Sequence, residues 1–211
     1  MAHNRCMRQM TRWENQTTAN PDHSSWYIER FRRMAATGAD LAGEARMIDA
    51  TVSRGARVLD AGCGPGRVGG ELAVRGHTVV GVDVDPVLIE AAKADHPGPE
   101  WLVGDLAELD LPARGIAEPF DVAVVAGNVM TFLAPRTEAE VLGRLGAHVR
   151  PQGRVVVGFG AGRGYAFEAF FADVEQAGLA VDAAFSTWDL RPFTDTSDFL
   201  VAVLSHRSPA Q

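Results

Sequence analysis

Short apolar segments alternate with amphipathic segments over most of the chain beyond Arg57. Four of the apolar segments, VLDA, VVGVD, VAVVAG and VVVGF, are hydrophobic at successive positions, which is typical of strands buried on both faces of a parallel sheet. The segments between them have the three-to-four-residue spacing of helices that cover such a sheet. The pattern therefore predicts a doubly wound, Rossmann-like α/β fold with helices on both faces.

The predicted elements follow one another as strand and helix until near the end of the chain. Strands are predicted over 57–61, 77–83, 99–105, 120–127 and 153–160, and helices over 66–76, 86–95, 135–149 and 165–178. Two further strands, over 179–190 and 197–207, come without a helix between them, so we expect the last strand to run antiparallel. Asp85 is predicted to cap the helix whose first turn contains Pro86.

The N-terminal region divides into two parts. Residues 1–23 are polar and lack periodicity, which predicts a flexible or lightly docked tail. Residues 24–42 are predicted to form a helical lid segment with Ser25 as its N-cap, and the main domain is expected over 43–207.

Composition narrows the function classes. The 211 residues carry a net charge of −7, which argues against a nucleic-acid partner because an acidic surface repels phosphates. No apolar run is long enough to span a bilayer, and the first residues lack the apolar centre of a signal peptide, so we expect a cytoplasmic protein without a membrane partner. Two cysteines, Cys6 and Cys63, form neither a disulfide framework nor a metal site.

The stretch VLDAGCGPGRVGGEL contains the candidate cofactor loop. In a doubly wound sheet ligands bind beyond the carboxyl ends of the strands, and Gly62, Gly64 and Gly66 permit close approach of the backbone to a ligand. Asp60 would repel a pyrophosphate but would attract a cationic nucleoside such as S-adenosylmethionine. Arg67 also stands where the dinucleotide fingerprint needs its third glycine.

Two further acids end the next two predicted strands. Asp83 follows the loop by about twenty residues, where a carboxylate accepts hydrogen bonds from a ribose diol. Asp105 can accept a hydrogen bond from the exocyclic amine of adenine, while the backbone N–H of Leu106 meets a ring nitrogen. Both cofactor classes contain ribose, so Asp83 supports a nucleoside without choosing between them.

The motifs VLDAGCGPG, VVGVDVDP, VGDL and FDVAVVAGNVMTFL stand in the order found in class I S-adenosylmethionine-dependent methyltransferases. The chain resembles this family over roughly residues 43–206. The resemblance implies strand order 3-2-1-4-5-7-6 with strand 7 antiparallel, S-adenosylmethionine as cofactor and S-adenosylhomocysteine as product. It also implies that Asp60 and the glycine loop hold the methionine part, Asp83 the ribose, and Asp105 with Leu106 the adenine.

The resemblance further implies that the residues after the fourth strand line the site of methyl transfer. The methionine carboxylate needs a cation, and Arg46, on a helix beside the loop, is the candidate, although a surface salt bridge to Glu44 or Asp49 remains open. Arg67 and Arg32 are further candidates. The complete set of candidate cofactor contacts is Arg46, Asp60, Gly62, Cys63, Gly64, Gly66, Asp83, Val84, Asp105, Leu106, Ala126, Gly127 and Asn128.

No large insertion separates the strands, so we expect the acceptor pocket to be formed by the N-terminal segment and by loops after the fourth and fifth strands. The alternative is that the aromatic residues of the first helix only pack on the domain. The candidate substrate contacts are Trp26, Tyr27, Phe31, Met130, Phe132, Arg163, Tyr165 and Trp188. Asn128 and Tyr165 are the candidates for positioning the reactants, and no general base is identified.

These observations together predict a methyltransferase acting on oxygen or nitrogen of a small molecule. The stretch AGNVMTF replaces the Asn/Asp-Pro-Pro-Tyr/Phe stretch of enzymes that methylate adenine or glutamine, which argues against those substrates. Two alternatives remain, an oxidoreductase that binds NAD(P) through the same sheet and a non-catalytic nucleoside-binding module.

Overall fold

A computed structural model describes residues 8–207. Seven strands form one sheet in the order β3-β2-β1-β4-β5-β7-β6, and β7 runs antiparallel to both of its neighbours. The strands are β1 Arg57–Ala61, β2 Thr78–Asp83, β3 Glu100–Val103, β4 Phe120–Val125, β5 Val149–Gly160, β6 Leu179–Phe185 and β7 Phe199–His206. The strand order and the antiparallel last strand expected from the sequence are thus confirmed.

Seven α-helices flank this sheet within the described residues. They are α1 Arg12–Ala19, α2 His23–Ala36, α3 Gly43–Thr51, α4 Arg67–Val74, α5 Pro86–Asp95, α6 Glu138–His148 and α7 Phe167–Gln176. None of these helices is sufficiently long and apolar to cross a lipid bilayer. Asp85 caps α5 by accepting a hydrogen bond from the Val87 N–H at 2.8 Å, and Pro86 occupies the first turn, as predicted.

Both faces of the sheet are buried because successive residues of a strand point in opposite directions. In β1, Leu59 packs in the core on the side of α6 and α7, whereas Val58 packs in the core on the side of α3 and α4. This arrangement explains why the central strands are apolar at successive positions. The acidic side chains Asp60, Asp83 and Asp105 stand at or just beyond the carboxyl ends of β1, β2 and β3.

Residues 8–23 differ from the expectation of a polar tail, and residues 1–7 of that predicted tail lie outside the described residues. Helix α1 begins with a capping box, in which the Thr11 hydroxyl accepts from the Glu14 N–H and the Glu14 carboxylate accepts from the Thr11 N–H. Trp13 is buried, and its indole N–H donates to Asp85 Oδ2 at 2.8 Å. A single anchoring tryptophan in a polar helix produces no hydrophobic period, so the sequence pattern did not reveal the helix.

Helix α2 begins two residues before the predicted N-cap. Asp22 takes the N-cap position and Ser25 lies exposed inside the helix, so the capping role predicted for Ser25 is wrong. The neighbouring Ser24 is buried and donates its hydroxyl to Asp85. Asp85 therefore holds both helices, which we call the N-terminal cover (α1 and α2), against the start of α5.

Candidate functional site

A pocket lies beneath the N-terminal cover, at the carboxyl ends of β1, β2, β3 and β4. It comprises about 820 Å³ of space between atoms, part of it open to solvent. Its lining residues are Thr11, Trp13, Tyr27, Phe31, Asp60, Gly62, Cys63, Gly64, Pro65, Arg67, Val68, Asp83, Val84, Leu88, Gly104, Asp105, Leu106, Ala126, Gly127, Val129, Phe132 and Leu133.

The glycine loop forms the floor of this pocket. The N–H groups of Gly62 and Cys63 both donate to the Val82 carbonyl, at 2.7 and 3.1 Å, which fixes the loop across the end of β2. Gly62 has φ +76°, and a Cβ there would lie 2.4 Å from the Val129 side chain, so no larger residue fits. Cys63 is buried, and burial raises the pKa of its thiol well above its usual value, so it stays a neutral thiol in the loop.

Asp60 stands at the end of β1 and binds the first turn of α4. Its Oδ2 atom accepts from the Gly69 N–H at 2.8 Å, and a Cβ on Gly69 would lie at the same distance from that oxygen. Burial raises the pKa of the Asp60 carboxyl to about 7, although the Gly69 hydrogen bond and the Arg67 charge act in the opposite direction. A cation bound beside Asp60 would therefore stabilise the ionised form.

Asp83, at the end of β2, organises the loop from the other side. Its Oδ2 atom accepts from the Gly64 N–H and its Oδ1 atom from the Asp85 N–H, both at 2.9 Å. Burial raises the pKa of this carboxyl to about 6 against the effect of these hydrogen bonds. Each carboxylate oxygen has a further lone pair, so Asp83 retains acceptor capacity toward the pocket.

Asp105 is joined to the N-terminal segment by an ion pair that the sequence did not indicate. One of its oxygens accepts from the Ala107 N–H at 2.9 Å, and the other accepts from Arg8 Nη1 at 2.7 Å. Arg8 also pairs with Glu14 in α1. Arg8, which lies 97 positions from Asp105 in the sequence, therefore closes the end of the pocket at which adenine is predicted to bind.

The structure assigns different surroundings to the three candidate cations. Arg32 is exposed on α2 and pairs with Glu29 and Asp95. The Arg46 side chain is half exposed and pairs with Asp40, because α3 turns position 46 away from the pocket. Arg67 lines the pocket instead, where it donates to both carboxylate oxygens of Glu44 and, at 2.6 Å, to the Leu41 carbonyl. Burial alone would lower the pKa of Arg67, but Glu44 raises it, so this arginine keeps its charge.

Aromatic side chains of the N-terminal cover form the roof. Tyr27 makes edge-to-face contacts with Trp13 and Phe31, at ring-centroid distances of 5.3 and 4.9 Å. Trp13 contacts Phe132 in the same way at 5.5 Å. Trp26, also predicted as a substrate contact, lies outside, 51% exposed and stacked on a neighbouring histidine, because adjacent positions of a helix face different directions.

Four of the other predicted substrate contacts are not on the pocket wall, namely Met130, Arg163, Tyr165 and Trp188. Met130 is fully buried in the core, because a 3₁₀ turn over Val129–Thr131 directs it inward. Tyr165 is also in the core and donates its hydroxyl to Asp173 at 2.6 Å. Trp188 packs against Gly158 on the opposite side of the sheet from Tyr165. The indole ring of Trp188 occupies the space that a Cβ on Gly158 would take.

Three candidate site residues from the sequence analysis, Arg163 among them, do not line the pocket and have other positions in the structure. Asn128, at φ 69°, accepts a hydrogen bond from the Gly160 N–H at 2.8 Å through its side chain and so joins the loops after β4 and β5. Arg163 is exposed on the second of these loops. Gly66, at φ +82°, forms the left-handed N-cap of α4.

Several pocket residues were missed by sequence reasoning. Apart from Pro65, Val68 and Gly104, which lie within or beside the quoted motifs, they are Thr11, Trp13, Leu88, Val129 and Leu133. The first two lie in a polar segment without periodicity, and the others look like ordinary core positions. None of them carries a sequence signal that distinguishes a pocket wall from packing.

Comparisons with known proteins agree with this architecture. A family described as "Methyltransferase domain" matches residues 58–153. A crystal structure of a TehB-like SAM-dependent methyltransferase from Corynebacterium glutamicum ATCC 13032 Kitasato is 49% identical, and the match covers 89% of this chain and 100% of that one, with a TM-score of 0.83.

Two curated relatives match over shorter ranges. The magnesium-protoporphyrin O-methyltransferase of Rhodobacter capsulatus is 44% identical over 87 residues, which is 38% of this chain and 36% of the relative. The ribosomal protein L11 methyltransferase of Dechloromonas aromatica (strain RCB) is 34% identical over 116 residues, which is 52% of this chain and 34% of the relative. Each match thus spans about a third of the length of the curated relative.

Proposed function

The chain belongs to the class I S-adenosylmethionine-dependent methyltransferases, and we propose that it methylates an oxygen or nitrogen atom of a small molecule. The observation that carries the proposal is a pocket lined by three strand-end carboxylates and roofed by two helices. An acceptor must reach the methyl group beneath this roof. A small molecule meets that condition more easily than a protein or nucleic-acid chain does, and the net charge of −7 further opposes nucleic acid.

We assign each part of the cofactor to residues that line the pocket. Asp60 and the glycine loop face the cationic methionine part, Asp83 binds the ribose diol, and Asp105 with Leu106 binds adenine. Arg67 takes the role of binding the methionine carboxylate, since it lines the pocket whereas Arg46 pairs with Asp40 outside it. Glu44 and the Leu41 carbonyl occupy three of the five guanidinium N–H groups of Arg67, and the other two are left for the carboxylate.

The residues of this chain act mainly by orientation and by exclusion of water. S-adenosylmethionine supplies a methyl group activated by its sulfonium, and the new bond to the acceptor forms as the carbon–sulfur bond breaks. Asp60 and Asp83 fix the position of the cofactor, and the aromatic roof excludes water from the reacting atoms. A neutral amine or an acidic hydroxyl needs no strong base, and its proton would leave through the side of the pocket that is open to solvent.

Isotope transfer tests the proposal. The protein is incubated with S-adenosylmethionine labelled in its methyl group, together with a small-molecule extract or with a protein and nucleic-acid fraction. We expect label in a small molecule and stoichiometric S-adenosylhomocysteine. Label only in macromolecules contradicts the small-molecule acceptor, and cofactor binding without any transfer supports the non-catalytic module. Thermal stabilisation by NAD but not by S-adenosylhomocysteine supports the oxidoreductase.

A pair of variants tests the assignment of the carboxylate partner. Arg67→Met should weaken S-adenosylmethionine binding by about ten-fold or more, because a charge-assisted forked pair is lost, and should leave binding of adenosine unchanged. The control Arg46→Met should leave both affinities unchanged. An effect of Arg46→Met on the cofactor, with none from Arg67→Met, would restore the assignment made from sequence. Calorimetric titration measures both ligands, and unaltered adenosine binding shows that the pocket is intact.

A further inference from the structure

The Asp105 carboxylate, assigned to the adenine amine, is buried and has both oxygens held by donors. Its side chain is 4% exposed. Oδ1 accepts from the Ala107 N–H at 2.9 Å, and Oδ2 accepts from Arg8 Nη1 at 2.7 Å. Asp105 lines the pocket whereas Arg8 does not, so the arginine contacts the carboxylate from outside the pocket. Each oxygen of a carboxylate has a second lone pair, so Asp105 keeps acceptor capacity toward a ligand.

Arg8 is itself held by a second carboxylate, on helix α1. Its Nη1 and Nη2 atoms donate to the two oxygens of Glu14 in the forked geometry of a guanidinium–carboxylate pair. Glu14 in turn accepts from the Thr11 N–H as part of the capping box of α1. Hydrogen bonding between the two side chains raises the pKa of Arg8 and lowers the pKa of Glu14, so both stay charged. Helix α1 therefore sets the position from which Arg8 meets Asp105.

A fixed orientation of the carboxylate matters for recognition of an amine. Without Arg8, Oδ2 of Asp105 would lose the donor from which it accepts, and the carboxylate could turn about its terminal bond. A ligand would then have to order this group when it binds, at a cost in free energy. A paired positive charge also offsets part of the cost of burying a carboxylate. Arg8 thus keeps the Asp105 carboxylate in one orientation.

We propose that Arg8 is a positioning residue for base selection: it directs the Asp105 carboxylate to the amino group of adenine, so that the site prefers a purine that carries this amine. The inference rests on the proposed function, which assigns adenine to Asp105. It adds a residue that touches no part of the cofactor and acts only through Asp105. It also joins base recognition to α1, because one guanidinium contacts both the strand-end acid and the Glu14 side chain of the helix.

Two ligands that differ only in the amine report on this role. They are S-adenosylhomocysteine and its analogue with hydrogen in place of the adenine amino group, which keeps every ring nitrogen. Calorimetry on the full chain gives both dissociation constants, and their ratio measures the contribution of the amine. In the wild type we expect the analogue to bind about ten-fold or more weakly, because a charge-assisted hydrogen bond is lost.

Arg8→Met should reduce this ratio about five-fold or more, mainly by weakening the binding of S-adenosylhomocysteine. Arg12→Met is the matched control, since Arg12 also fastens α1, through a hydrogen bond from Nη1 to the Thr131 carbonyl at 3.2 Å, but has no hydrogen bond to Asp105 within residues 8–207. It should leave the ratio at the wild-type value even if loosening of α1 weakens both ligands. Asp105→Ala should bring the ratio close to one, and adding Arg8→Met to it should change the ratio no further.

Four results overturn the inference while the proposed function stands. A wild-type ratio in Arg8→Met would show that Asp105 needs no help from the arginine. Tighter binding of S-adenosylhomocysteine by Arg8→Met would show that Arg8 competes with the amine for the carboxylate. A change in the ratio when Arg8→Met is added to Asp105→Ala would show that Arg8 contacts the base directly.

The fourth result is an unchanged ratio in Asp105→Ala, which would place the amine elsewhere in the pocket. A wild-type chain that binds neither ligand would instead refute the proposed function, and the two kinds of failure are therefore distinguishable.

Discussion

The raised pKa values of Asp60 and Asp83 predict that cofactor affinity depends on pH. Burial holds these carboxyls at pKa values of about 7 and about 6 in the free protein. A cationic cofactor favours the ionised carboxylates, so binding must release the protons that the free protein holds. Affinity for S-adenosylmethionine should therefore rise as the pH rises toward neutrality.

The size of the effect follows from the two pKa values. A carboxyl with a pKa of about 7 is protonated in about ten of eleven molecules at pH 6.0 but in about one of four at pH 7.5. If only the ionised form binds, Asp60 accounts for about an eight-fold gain in affinity over this range and Asp83 for about a further two-fold. The dissociation constant should thus fall roughly sixteen-fold from pH 6.0 to 7.5.

Calorimetric titration in buffers of different ionisation enthalpy measures both the affinity and the number of protons released. At pH 6.5 we expect release of about one proton for each cofactor bound. Asp60→Asn retains an oxygen that can accept from the Gly69 N–H, but it has no proton to release. This variant should bind more weakly at pH 7.5, and its affinity should change only about two-fold over the range. The control Asp195→Asn alters an exposed carboxylate and should behave as the wild type.

An affinity that does not change with pH, or that falls as the pH rises, would refute the reasoning. A sixteen-fold change that persists in Asp60→Asn would show that another group carries the protons.

Three further predictions concern single side chains. Asp83→Ala should weaken cofactor binding, measured by calorimetry, by roughly 10- to 100-fold, because a charge-assisted hydrogen bond to the ribose is lost. An affinity equal to that of the control variant Asp195→Ala would mean that the ribose does not bind at Asp83. Trp13→Phe should raise the cofactor dissociation rate about three- to ten-fold in stopped-flow measurements, because α1 loses the hydrogen bond from its indole to Asp85. The control Trp26→Phe changes an exposed side chain and should leave the rate unchanged. Equal rates in both variants would contradict the idea that α1 closes the pocket over the cofactor. Without cofactor, ionisation of the buried Asp60 carboxyl lowers the stability of the folded protein as the pH rises through its raised pKa. Asp60→Asn should therefore melt about 3 °C or more above the wild type at pH 8 and at the same temperature as the wild type at pH 4. A variant that melts below the wild type at pH 8 would contradict the buried environment assigned to Asp60.

Hydrophobic patterning predicted the elements of the sheet because burial on both faces leaves a direct trace in the sequence. The apolar runs of β1, β2, β4 and β5 and the Asp85–Pro86 start of α5 are local features of this kind. The strand order is a matter of pairing between distant segments, so it followed from the resemblance to a family. Hydrophobic patterning did not reveal helix α1, because a single buried tryptophan anchors an otherwise polar helix.

The strand-end acids and the glycine loop were predictable as a group because parallel strands end at one edge of a sheet. The choice between Arg46 and Arg67 was not, since it depends on how α3 is rotated about its axis. In the same way, the turn after β4 directs Met130 into the core and Phe132 into the pocket, two positions apart. The contact of Arg8 with the third acid depends on the docking of the whole N-terminal segment.

A crystal structure of the chain with S-adenosylmethionine bound would test the central claim, that the three strand-end carboxylates hold the cofactor beneath the N-terminal cover. We predict the ribose diol within about 3 Å of Asp83, the adenine amine beside Asp105 and the methionine carboxylate beside Arg67. A cofactor whose ribose lies away from Asp83, or that binds outside the N-terminal cover, would contradict the account.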